Sequence, residues 1–167
     1  MKWTREELER NDSPVSFDED VEIDDSAFAE NKLINAVRNV HIGGTGWLDD
    51  ETGLFECDIH LTGEMLLPDA ITGAQIAVPL ETDSHEVYSF EETDEEDVRV
   101  VTDEVIDLLP AVIDAIMLEV PISVTEVEED AYPSGDGWRV ISEAEYQESR
   151  KNRIDPRLAK LKEFKSE

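Results

Sequence analysis

Cysteine, cations and long apolar runs are all scarce in this 167-residue chain, and each scarcity excludes something. A single cysteine, Cys57, rules out an internal disulfide and suits a reducing compartment, so the cytoplasm is the default expectation. No apolar run approaches the roughly 18 residues that span a bilayer. The opening Met1-Lys2-Trp3-Thr4-Arg5-Glu6-Glu7 carries no apolar signal segment, and neither membrane insertion nor export by that route is expected. Lysine and arginine together number 14 against 43 aspartates and glutamates, for a formal net charge of −29.

Those few cations are not spread evenly. Arg150, Lys151, Arg153, Arg157, Lys160, Lys162 and Lys165 all lie in the last eighteen positions, which carry a net +4 and leave residues 1–149 with −33. A surface of that potential repels nucleic-acid phosphates and anionic lipid, and steers cationic proteins toward itself. Only the tail can meet nucleic acid favourably. An acidic surface also serves solubility or a salt-rich host, but that does not explain why the cations gather at one end.

The chain suits one folded body with extensions, an acidic α+β domain over residues 1–149 followed by a basic helical tail over 150–167. Its 40% apolar residues fall into patterned runs. Residues 2–10 predict a short helix, and Val15, Phe17, Val21 and Ile23 alternate as in a half-buried strand. The strongest period of two runs from Phe55 to Leu67. It is preceded by a β-prone stretch, Leu33 to Leu48, and a hairpin loop, Asp49 to Gly53. Ile76, Val78 and Leu80 alternate again, Val87 to Phe90 predicts a further strand, and the acidic run 91–97 reads as a loop. Leu109, Val112, Ile113, Ile116 and Met117 form a helical stripe with Asp107 as N-cap and Pro110 in the first turn. Ile122 to Val127 is expected to return as a strand. Ser142-Glu143-Ala144-Glu145 has a capping-box pattern opening a helix to about residue 151, and Asp155-Pro156 opens another with Leu158, Leu161 and Phe164 on one side. No internal repeat is evident. The expected fold is α+β: a curved antiparallel sheet, or a partly open barrel, packed by one core helix and extended by a helical C-terminus.

No residue set points to catalysis. In a strand Cys57 faces inward and His60 outward, so the pair cannot share a metal ion without distortion. His41 and His85 are isolated in sequence. Gly43-Gly44-Thr45-Gly46 lacks the Lys-Ser/Thr and the following helix of a phosphate cradle and reads as a sheet bend or bulge. No nucleophile elbow or triad is present, and neither a cofactor nor a metal is expected. The tail is different: Arg150, Lys151, Arg153, Arg157, Leu158, Lys160, Leu161 and Lys162 combine cations with an apolar stripe in a segment too short to be a stable helix alone. Such a segment folds on a partner or lies on its own acidic body.

Ile106-Asp107-Leu108-Leu109-Pro110 through Leu118-Glu119-Val120-Pro121, then Gly137-Trp138-Arg139-Val140, then Asp155-Pro156-Arg157-Leu158-Ala159-Lys160-Leu161 together resemble the YceD family of bacterial and plastid proteins. Met1-Lys2-Trp3 and Gly63-Glu64-Met65-Leu66-Leu67-Pro68 resemble its Gram-positive branch. The resemblance spans essentially the whole chain. It implies a factor for accumulation of large-subunit ribosomal RNA. Many relatives carry a Cys-x-x-Cys pair where this chain has Asp69 and Thr72, so a zinc site cannot be carried over. The expectation is a non-enzymatic ribosome-biogenesis factor whose acidic body holds a basic ribosomal protein or a pre-50S particle, with rRNA contact through the tail and no membrane partner. Two alternatives stand beside it: an RNA-binding module with a cationic groove built from Arg38, Arg99, Arg139 and the tail, and a hydrolase using surface carboxylates with a divalent ion.

Overall fold

The computed structural model describes residues 1–11 and 14–152 of the chain. Its centre is β4 (Leu54–Pro68), the strand with the clearest alternation, in which Phe55, Cys57, Ile59, Leu61, Met65 and Leu67 are buried. The sheet has the order β2-β3-β4-β5-β6, with β2 (Val15–Val21), β3 (Ala36–Leu48), β5 (Gln75–Ser89) and β6 (Val98–Val100). Strands β2 to β5 pair antiparallel; β6 pairs with β5 in parallel, so the sheet is mixed at that edge. With β2 and β6 at its two ends the sheet is open and not a barrel.

The apolar stretches at Ile76–Leu80 and Val87–Phe90, expected as two strands, fall on the single fifteen-residue β5, which ends at Ser89. The alternation breaks between them because the inner face there meets polar groups. Thr82 donates to Glu119 at 3.0 Å, and Glu86 accepts from Arg99 at 2.7 Å. The bend expected at the glycine run lies instead upstream, where the register shifts between Arg38 and His41. Asn39 takes φ +52 and its side chain donates to Glu64 at 2.7 Å. The extra residue resets the alternation, so that Val37 on one side and Val40 and Ile42 on the other all reach the core.

Gly44 and Gly46 have another purpose. A Cβ on Gly44 would lie 2.5 Å from the Phe17 ring and 2.1 Å from the Asp58 carbonyl oxygen, and one on Gly46 would lie 2.3 Å from the Phe55 ring. These glycines let aromatic rings lie flat against the sheet. The rings of Trp3 and Phe17 are 5.5 Å apart, those of Trp3 and Phe55 6.0 Å, and those of Phe55 and Tyr88 6.3 Å, so one aromatic row crosses the inner face.

The N-terminus, expected as helix throughout, begins with β1 (Lys2–Thr4), and α1 (Arg5–Glu9) follows from a Thr4–Glu7 capping box. β1 pairs with β7 (Val105–Asp107), which places Trp3 beside Ile106. Helix α2 (Leu109–Glu119) then buries Ala111, Val112, Ala115 and Ile116. Leu108, not Asp107, is its N-cap, although the Asp107 carboxylate still accepts from Leu109 N–H at 3.1 Å. No strand forms over Ile122–Val127: Ala70 N–H donates to Val124 at 2.8 Å, but Ile122 is 88% exposed.

The chain divides into two compact units, Met1–Val124 and Thr125–Glu167. In the described part of the second, β8 (Ser134–Gly135) and β9 (Trp138–Arg139) form a hairpin turned by Gly137 at φ +81. The Trp138 indole lies on Gly135, where a Cβ would come within 2.6 Å. Helix α3 (Glu143–Asn152) crosses the expected boundary between body and tail. The helix expected after Asp155 lies outside the described residues. Among the described residues no helix is long and apolar enough to cross a membrane.

Candidate functional site

Of the tail residues, Arg150 and Lys151 occupy the last turn of α3, where cations complement the helix dipole. The Arg150 guanidinium lies 5.9 Å from the centre of the Tyr146 ring. Ser142 caps the helix by accepting from Glu145 N–H at 3.2 Å, while the Glu145 carboxylate pairs with Arg139. Arg153, Arg157, Leu158, Lys160, Leu161 and Lys162 lie outside the described residues.

The arginines considered for a cationic groove are neutralised one by one. Arg38 donates to both oxygens of Asp25 at 2.7 and 3.0 Å, and these bonds hold the Asp25 carboxyl below the usual carboxylate range. Arg99 bridges Glu86 at 2.7 Å and Asp114 at 2.8 Å. Arg38 on β3 and Arg99 on β6 are separated by two intervening strands, about 14 Å at the usual strand spacing. Arg139, in the second unit, is committed to Glu145.

What the fold does bring together is a face the sequence left scattered. On the outer side of β2–β5, strand register builds three rows: Ser16, Thr45, Asp58 and His85; Asp18, Gly43, His60 and Asp83; Asp20, His41, Thr62 and Glu81. All three histidines of the chain lie here, each directly opposite an aspartate or bonded to one. His41 Nδ1 is 2.9 Å from Asp20, His60 Nδ1 is 2.8 Å from Asp83, and His85 Nδ1 is 2.8 Å from Asp58. The Asp20 hydrogen bond raises the His41 pKa above its ordinary value, with Asp18 at 3.6 Å adding to the effect. The signal was present in the even positions of the alternating strands, but it acquires meaning only with the register that sets 18, 43, 60 and 83 side by side.

This face is an open depression of about 790 Å³ that includes Asp18, Gly43, Asp58, His60, Asp83 and His85 among its lining residues. Ser84 also lines it, and its hydroxyl donates to Glu86 at 2.6 Å. Among the described residues, no group of three or more His, Cys, Asp and Glu converges as a metal site. Cys57 is buried on the opposite, inner face, and burial pushes its thiol up to about 12, which leaves it unreactive.

The Asp69–Thr72 segment is a closed turn. Asp69 is 4% exposed and accepts from Ile71 N–H at 2.9 Å and Thr72 N–H at 2.8 Å, while Gly73 N–H returns to its carbonyl at 2.9 Å. The hairpin at Asp49 repeats it: Glu51 and Thr52 N–H donate to the Asp49 carboxylate at 2.8 and 3.3 Å, and Gly53, like Gly73, has φ +70. This twofold Asp-x-x-Thr-Gly turn is a local repeat that sequence reading missed. Each aspartate accepts backbone N–H groups of its own turn.

The family model "Large ribosomal RNA subunit accumulation protein YceD" matches residues 57–165, from near the start of β4 onward. The protein YlbN of Bacillus subtilis (strain 168) is 35% identical over 173 residues, covering 98% of this chain and 96% of its own length, so the likeness extends over β1–β3 as well. No solved structure matches the chain. The motifs behind the resemblance prove architectural where the structure describes them: Trp3 against Ile106, the α2 start, and the Gly137 hairpin. With more than half of its length matched by the family model, the chain belongs to the YceD family, described by its role in large ribosomal RNA subunit accumulation.

Proposed function

We propose that this protein is a cytoplasmic, non-enzymatic factor in large-subunit biogenesis that holds a basic ribosomal protein, alone or within a precursor particle. The charge split carries the reading: −33 over residues 1–149 against +4 over 150–167. Newly made cationic proteins bind RNA indiscriminately through their charge, and an acidic surface competes for the same cations without sequence demands. The tail cations, from Arg150 to Lys165, supply contact with precursor rRNA at one end of the same molecule. The family's description as an accumulation factor supports this, because protecting a subunit component raises the yield of assembled rRNA without any reaction on the RNA.

The test is affinity purification of the full chain and of a full-length variant with Arg153, Arg157, Lys160 and Lys162 changed to Gln. Proteins and RNA are identified in the same low-salt eluate. Basic ribosomal proteins are expected with both chains, and rRNA is expected to fall with the variant. Absence of ribosomal proteins, precursor subunits and rRNA from both eluates refutes the reading. The clustering of cations at 150–165 also favours direct rRNA binding by the tail as a second reading. A mobility shift with rRNA fragments at about 50 mM salt, where phosphate contacts are strong, is its test, and no shift sinks it.

A further inference from the structure

We infer that the outer face of β2–β5, and not the acidic surface at large, is the docking surface for an arginine- or lysine-rich segment of the protein partner; this rests on the proposed holding of a basic protein. Charge complementarity is the first ground. The twelve side-chain positions of its three central rows include Asp18, Asp20, Asp58, Glu81 and Asp83 but no lysine or arginine. Elsewhere in the described first unit the arginines and Lys2 take carboxylate partners, at Glu6, Glu9, Asp25, Glu86, Asp107 and Asp114. On this face the basic side chains within reach of Asp18, Asp58 and Asp83 are histidines, which carry a positive charge only when protonated. The carboxylates stand well out into solvent, with Asp18 at 83% and Asp83 at 85% side-chain exposure.

Gly43 is the second ground. Gly44 and Gly46 make room for Phe17 and Phe55, but a Cβ on Gly43 would meet only Asp18 Oδ2 at 3.7 Å and the Phe17 carbonyl at 3.9 Å, ordinary contact distances. Packing does not require glycine there. Its effect is to leave bare backbone on the floor of the depression, between Asp18 on β2 and His60 and Asp83 across β4 and β5. Successive cationic side chains of a segment laid across that floor reach Asp18 on one side and Asp58 and Asp83 on the other, and an aliphatic stem rests on the glycine between them. Guanidinium, with its planar fork of donors, is the better fit for the neighbouring Asp58 and Asp83 carboxylates on β4 and β5.

The probe is a synthetic peptide of alternating arginine and serine, titrated calorimetrically into the full-length chain at low salt. Asp18→Asn, Asp58→Asn and Asp83→Asn combined are expected to weaken binding about ten-fold, as loss of three exposed charge contacts does. Gly43→Arg, whose Cβ the fold accommodates, is expected to fill the depression and weaken binding at least as much with the melting temperature retained. Three neutralisations in the acidic loop, Glu92→Gln, Asp94→Asn and Glu96→Gln, are expected to change it by less than about two-fold, since they remove equal charge from elsewhere. Equal weakening by the loop triple, or a Gly43→Arg chain that binds like wild type, overturns the docking surface while leaving the holding of basic proteins intact. No peptide binding by the wild-type chain overturns both. A wild-type dimer in sedimentation that Gly43→Arg dissociates assigns the face to a second copy. A sharp gain in affinity when the tail cations are changed to Gln assigns it to the chain's own tail. Either result overturns the proposal for a partner segment.

Discussion

Two adjacent glycines in β3 are expected to respond to the same substitution with opposite signs. Gly44→Ala places a methyl 2.1 Å from the Asp58 carbonyl oxygen and 2.5 Å from Phe17 Cζ. A ring can tilt; the backbone oxygen of a central strand moves only if β4 moves with it. Overpacking costs typically 1–3 kcal/mol, and a rigid neighbour puts this case at the upper end, about 3 kcal/mol. For a unit the size of Met1–Val124, at about 4 °C per kcal/mol, the melting temperature falls by about 12 °C. Gly43→Ala meets nothing closer than 3.7 Å and removes the entropy cost of an interior-strand glycine, for a gain of about 0.5–1 kcal/mol. Urea unfolding followed by far-UV circular dichroism measures both, and an unchanged m-value assigns the difference to the native state. Equal losses at the two positions, or a tolerated Gly44→Ala, refute the steric account and with it the claim that packing does not demand glycine at 43.

Three further outcomes follow from buried and paired groups. Asp69→Ala removes the carboxylate oxygen that accepts from two N–H groups of a buried turn and is expected to cost about 2–3 kcal/mol in urea unfolding, with Asp49→Ala in the more exposed copy costing less; the reverse order contradicts the role of burial. Cys57 is expected to resist alkylation at about pH 8 in the native chain and to react once urea unfolds it, because its thiol is buried and held far from the thiolate; fast native labelling, read by mass spectrometry, refutes this. His41, raised chiefly by its bond to Asp20, favours the folded state below its unfolded pKa, and that contribution is lost as pH rises through the higher folded value. NMR titration is expected to show the His41 midpoint move down in Asp20→Asn, and an unmoved midpoint removes Asp20 as the cause.

Much of the framework was legible because it follows from local periodicity. The Phe55–Leu67 alternation became β4, the Leu109–Met117 stripe became α2, and Ser142 caps α3. Departures arose where distant residues altered a local rule. β1 exists because β7 pairs with it, the inner face of β5 turns polar between Thr82 and Glu86 because Arg99 and α2 lie there, and the bulge at Asn39 shifts an alternation that reads as irregular in the linear chain.

Charge belongs to the first category as well. That the chain is intensely acidic, that its cations gather after residue 149, and that it resembles a ribosomal RNA accumulation family all follow from residue identities, since net charge and motif spacing need no coordinates. Only the tertiary structure could decide which carboxylates lack a strong cation. Asp25, Glu86 and Asp114 are each met by an arginine from another element, whereas Asp18, Asp58 and Asp83, remote in sequence, converge by strand register on one face with histidines and a bare glycine. Register is a property of pairs of strands, and no single strand contains it.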